Sequence, residues 1–165
     1  MSTRGVIMRA SNPVPWGRYH HFDSYPMGLG ATLWRLYHEQ FGQNLTRMLK
    51  TLIDDHPAGW STLVGRSFDF PPGFWQSPRR AGDPDKDLYE ASPICYCHGD
   101  RAEDEEVILW PDLPESWIDY AYVFDVDAVE MWIFGVRYHN DPILLAQIPL
   151  HDPEPDWQAI QNRWD

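Results

Sequence analysis

The stretch "WIDYAYVFDVDAVEMWIFGV" at 117–136 constrains the fold more than any other part of the chain. Ile118, Tyr120, Tyr122, Phe124 and Val126 alternate with Asp119, Ala121, Val123 and Asp125. After a turn near Asp127–Ala128, Val129, Met131 and Ile133 alternate with Glu130, Trp132 and Phe134. A period of two places successive side chains on opposite faces, so the pattern predicts an antiparallel hairpin with one apolar, half-buried face.

The other elements are read in the same way. Residues 3–9, "TRGVIMR", are rich in strand formers, and "SNPVPWG" after them is loop chemistry. Arg18 to Tyr25 alternates again, with Tyr19, His21, Asp23 and Tyr25 expected on one face and Arg18, His20 and Phe22 on the other. These two strands form an opening hairpin that Pro26 ends, because proline cannot donate to the ladder. A helix is expected over 30–41, with Leu33, Leu36 and Tyr37 on one stripe. Asn44 reads as the N-cap of a second helix whose Leu45, Met48, Leu49, Leu52 and Ile53 recur at helical spacing. Pro57 to Gly59 stop that helix. "DPILLAQIPL" adds a strand, and "DPEPDWQAIQNRW" a terminal helix with Trp157, Ile160 and Trp164 on one face. With no internal repeat or linker, residues 1–165 read as a single α+β domain. Its sheet is expected to be antiparallel, built from N- and C-terminal hairpins and covered by two or three helices.

Between 65 and 106 no periodicity is sustained, which is long for an irregular segment in one domain. From Asp83 to Glu106 nine acidic residues stand against two basic ones, Lys86 and Arg101. Such runs are usually solvated loops, and alternatively form an acidic face for a basic partner. The formal charge of −12 argues against a nucleic-acid backbone as partner. No apolar run approaches the roughly 18 residues that span a bilayer, and "MSTRGVIMRAS" lacks the apolar stretch of a secretory signal. The expected setting is cytoplasmic, where Cys95 and Cys97 persist as thiols. No cofactor is expected, and the sequence carries no mark of an oligomeric state.

Four groups of residues carry candidate chemistry. If the opening strands pair, Arg4 lies across from Asp23, orienting His21 as a general base or anion ligand, with Tyr19 and Tyr25 as ligand contacts. The structural counterpart is an ion pair and two tyrosines at a strand–helix corner. Second, Gly28 and Gly30 in "SYPMGLG" precede a helix whose amides are able to bind an anion, or else serve only a tight turn. Third, "CYCHGD" groups Cys95, Cys97, His98 and Asp100; its thiols and imidazole are zinc-type ligands at an unusual spacing, needing His20, His38, His56, His139 or His151 to complete them, and buried strand cysteines are the alternative. Fourth, removal of Met1 would leave Ser2 with an α-amine base, as in N-terminal nucleophile hydrolases.

"TRG" at 3–5, "YHHFDSYPMGLG" at 19–30 and "DYAYVFDVDAVEMWIF" at 119–134 together resemble a family of small bacterial and phage proteins. Its members open with a Thr-Arg-Gly strand and a Tyr-x-His-Phe-Asp-Ser-Tyr-Pro-type segment. The resemblance covers about a third of the chain and implies a phage or mobile-element accessory role, with no mechanism attached. The leading expectation is a small acidic protein that binds a partner with a basic surface and modulates host machinery. The alternative is a small hydrolase or ligand-binding enzyme with its pocket at 19–30.

Overall fold

Strand β1 (Gly5–Arg9) runs through the middle of the sheet and explains most of the topology. It pairs antiparallel with β2 (Trp16–His20), in the register Gly5↔His20 to Arg9↔Trp16, which is the expected opening hairpin. On its other side it pairs parallel with β6 (Tyr120–Asp125), from Gly5↔Tyr120 to Arg9↔Phe124. The computed structural model describes residues 2–68, 91–98 and 102–165. Among these, eight strands form one sheet in the order β4 (Ile94–Cys95), β3 (Trp60–Thr62), β2, β1, β6, β7 (Glu130–Gly135) and β8 (Ile143–Pro149), with β5 (Ile108–Leu109) also paired to β2.

The sheet is mixed, which corrects the antiparallel expectation. β2 is parallel to β3 (Trp60–Thr62), and a parallel neighbour needs a crossover rather than a tight turn. Residues 26–54 are that crossover. They form α1 over 26–40 (Pro26–Gly30, Ala31–Arg35 and Leu36–Gln40) and α2 over 45–54 (Leu45–Leu49 and Lys50–Asp54). Both end in wide turns, with Phe41 N–H donating to Leu36 O and Asp55 N–H to Lys50 O. Asn44 caps α2 as expected, its side chain accepting from Arg47 N–H at 3.0 Å. α1 begins at Pro26 rather than Gly30, since proline at the first helical position loses no hydrogen bond there.

The second hairpin, β6 with β7 (Glu130–Gly135), has the expected register, and β8 (Ile143–Pro149) extends it antiparallel. β6, however, is buried on both faces rather than one. α1, α2 and α3 (Trp157–Asn162) cover one face, where Leu33, Leu36, Met48, Leu49 and Leu52 pack against Ile7, Tyr122 and Phe124. On the opposite face Val6, Met8, Ala121 and Val123 pack with Leu113 and Ile118 beneath the short 3-10 segment Trp110–Glu115. Trp164 lies so close over Gly135 that a Cβ there would sit 2.4 Å from the indole, a contact only glycine permits.

The irregular segment from 65 to 106 is partly woven into the sheet. β4 (Ile94–Cys95) pairs antiparallel with β3, while 69–90 and 99–101, with five of the nine acids of the run (Asp83, Asp85, Asp87, Glu90 and Asp100), lie outside the described residues. Among the described residues, no helix is long and apolar enough to cross a membrane.

Candidate functional site

The covering over the second face is short, and it leaves a cleft of about 670 Å³ at the β1 and β6 N-terminal ends. Arg4, Tyr19 and His21 form one wall; Glu106, Val107, Ile108, Asp112 and Ser116–Ile118 form the other. The wall follows from the register. Gly5 faces His20, so the ladder carried one step further sets Arg4 opposite His21, and alternation along β2 puts Tyr19 and His21 on the same side. Arg4 is fixed by its backbone. Its N–H donates to Asp119 Oδ2 at 2.8 Å, and its carbonyl accepts from Asp119 N–H at 2.9 Å.

His21 is held from both ring nitrogens. Tyr19 Oη lies 2.5 Å from Nδ1, and Ser2 Oγ lies 3.4 Å from Nε2. Burial pushes the Tyr19 hydroxyl above its ordinary value, while the neighbouring Arg4 pulls it back. The Arg4 guanidinium makes no ion pair among the described residues. Trp117, 78% exposed, stacks on Tyr138 with ring centroids 6.0 Å apart and stands at the rim. An adjoining depression of about 490 Å³ shares Arg4, Ser116, Trp117 and Ile118 with the cleft and reaches Ser2.

The remaining expected residues lie elsewhere. Asp23 takes a positive φ of 56°, which turns the chain after His21, so Asp23 and Tyr25 leave the Tyr19–His21 face. Asp23 is exposed, and its carbonyl accepts from Leu29 N–H at 3.0 Å. Arg4 therefore meets Tyr19 and His21, and Tyr19 takes the orienting place expected of Asp23. Tyr25 packs against the helical core. Gly28 and Gly30 belong to α1 rather than to an open turn. The amides there are engaged: Gly28 N–H donates to Tyr25 O at 2.9 Å, and Met27 N–H to Gln161 Oε1 at 3.3 Å. Of the cleft's second wall, only Ile118 belongs to an alternation legible in the sequence; Glu106, Val107, Ile108, Asp112 and Ser116 carry no such signal.

Cys95, Cys97 and His98 sit at the far edge of the sheet, as free thiols beside an imidazole, and are joined there by His56. A hydrogen bond from Cys95 holds the Cys97 thiol well below its ordinary value against the opposing effect of burial, with His56 adding to it. Compared with protein-family models, with curated proteins and with solved structures, the chain matches none of them.

Proposed function

We propose that the chain binds a small molecule with an anionic head and an apolar body in the Arg4–Tyr19–His21 cleft. The supporting observation is the convergence of an arginine without an ion-pair partner among the described residues, a tyrosine and a histidine on one concave site. The guanidinium presents a planar fork of donors to a carboxylate or phosphate. Val107, Ile108, Ile118 and Trp117 supply apolar surface for the remainder. The hydrolase form of this reading uses the same groups. His21, oriented by Tyr19, accepts a proton from Ser2 Oγ or from a water, and Arg4 steadies the charge that develops.

Thermal-shift titration with a panel of aryl carboxylates and aryl phosphates tests the reading. At least one member is expected to raise the melting temperature. Arg4→Gln is expected to weaken that ligand about ten- to hundredfold, the range for a lost charged hydrogen bond. His21→Ala is expected to weaken it as well. If no compound stabilises the wild type, or both variants bind as the wild type does, the cleft reading fails.

A second reading rests on the exposed run Glu103–Glu106 and the exposed Trp117–Tyr138 pair. These suit a protein partner with a basic surface, as expected of a modulator from a phage or mobile element. Under it, neutralising Glu103, Asp104 and Glu105 abolishes capture of a host protein, while Arg4→Gln leaves capture intact.

A further inference from the structure

His56, Cys95, Cys97 and His98 come from two segments of the chain and meet at one point. His56 follows α2 at the turn into β3, and Cys95 lies on β4 opposite Trp60. Strand alternation sends Cys97 to the same side as Cys95, and the bend over 96–98 turns His98 back onto both. That bend answers the objection from spacing: three ligands within four residues converge once the strand ends between them.

The four ligand atoms lie close enough together to share one ion. Cys95 Sγ and Cys97 Sγ lie 3.3 Å and 3.2 Å from His98 Nδ1, and Cys97 Sγ lies 3.6 Å from His56 Nδ1. All four ligand atoms fall within 4.8 Å of one another. Zinc bonds of about 2.3 Å to sulfur and about 2.0–2.1 Å to nitrogen set a tetrahedral sulfur–nitrogen edge of about 3.6 Å. His56 and Cys95 are buried, so a neutral assembly of one divalent cation and two thiolates suits the place.

We infer that His56, Cys95, Cys97 and His98 form a closed structural zinc site that fastens β4 and the end of α2 to β3. Two soft thiolates and two imidazoles in tetrahedral array select zinc over hard cations. Four protein ligands leave no open position, so the metal shapes the fold and does no chemistry of its own. The site also bears on the cleft. Tyr96, between the two cysteines, stacks on Tyr19 with centroids 6.4 Å apart, so the metal sets the backing of the cleft wall. The zinc inference stands whether or not the cleft binds an anion, because its readout is the metal.

The test uses the full-length chain, untagged and purified without chelator from zinc-replete cells. Elemental analysis is expected to find about one zinc per chain. Replacement with cobalt(II) is expected to give thiolate-to-cobalt charge transfer and the intense visible bands of a tetrahedral ion. Cys97→Ser is expected to lose part of the charge transfer and at least about tenfold in affinity, no less than outer-shell partners cost elsewhere. Should that variant fail to fold, half-buried His98→Asn supplies the comparison of affinity, with the thiolate charge transfer retained. Wild-type protein without zinc and with only weak octahedral cobalt bands overturns the inference. So does a Cys95→Ala/Cys97→Ala double variant that retains its full zinc.

Discussion

His20 shows how much a single buried residue decides. It is fully buried, its Nδ1 is 2.8 Å from Ser24 Oγ, and its Nε2 accepts from Leu63 N–H at 3.0 Å. The Ser24 hydroxyl donates to the His20 carbonyl at 3.2 Å, which leaves Nδ1–H as the donor to Ser24 Oγ and makes the ring neutral. Burial, with His21 nearby, lowers its pKa from 6.5 to about 3. As pH falls, the unfolded chain takes up this proton first. The stability held by neutral His20 is thus full above pH 6.5 and drains toward pH 3, by up to about 1.4 kcal/mol per pH unit. Urea unfolding across this range is expected to show that decline, and His20→Gln is expected to flatten it; an equally steep decline in the variant would refute the assignment. Alternation made His21 and Tyr19 legible as neighbours. It could not foretell that Asp23 adopts a left-handed backbone and leaves them. Arg18 was likewise opaque: it is buried and donates to Ile53 O at 2.8 Å and Glu106 O at 3.0 Å, partners far off in sequence.

At the scale of elements, whatever depends on local chemistry was readable. The α2 cap is local, and Asn44→Ala is expected to cost about 1 kcal/mol in chemical denaturation. α3 has its own cap in Asp156, whose Oδ1 accepts from Ala159 N–H at 3.0 Å. The β6–β7 hairpin was legible because its pairing follows from one turn. The two-sided burial of β6 was not, because periodicity reports side-chain direction and says nothing of what arrives on the polar-looking face. Ala121 and Val123 are covered there by Leu113 and Ile118. Phe124, buried on the helical face, is expected to cost about 3–5 kcal/mol when cut to alanine. A loss below 1 kcal/mol in that variant would mean that α1 and α2 collapse readily into the space.

For the whole molecule, parallel neighbours are where sequence reading runs out. Nothing in β1 or β6 names the other as partner, and the same holds for β2 and β3. The Cys–His cluster has the same character, since His56 and Cys97 stand 41 residues apart and only the fold brings them together. If zinc fastens that edge, stripping it with a chelator is expected to speed amide hydrogen exchange in β3 and β4 while β1 and β6 stay protected. Uniform loss of protection would instead make the metal a condition of the entire fold.

The pairing of β1 with β6 has a consequence for the chain as it is made. Arg4 and Asp119, bonded at the mouth of this ladder, are 115 residues apart. At a synthesis rate of about 5–20 residues per second, one edge of β1 waits roughly ten seconds on the ribosome before its partner exists. Through that interval Val6, Ile7 and Met8, fully buried in the finished protein, have only β2 and the crossover helices for company. Until the last third of the chain emerges, that bare strand edge is open to mispairing and aggregation.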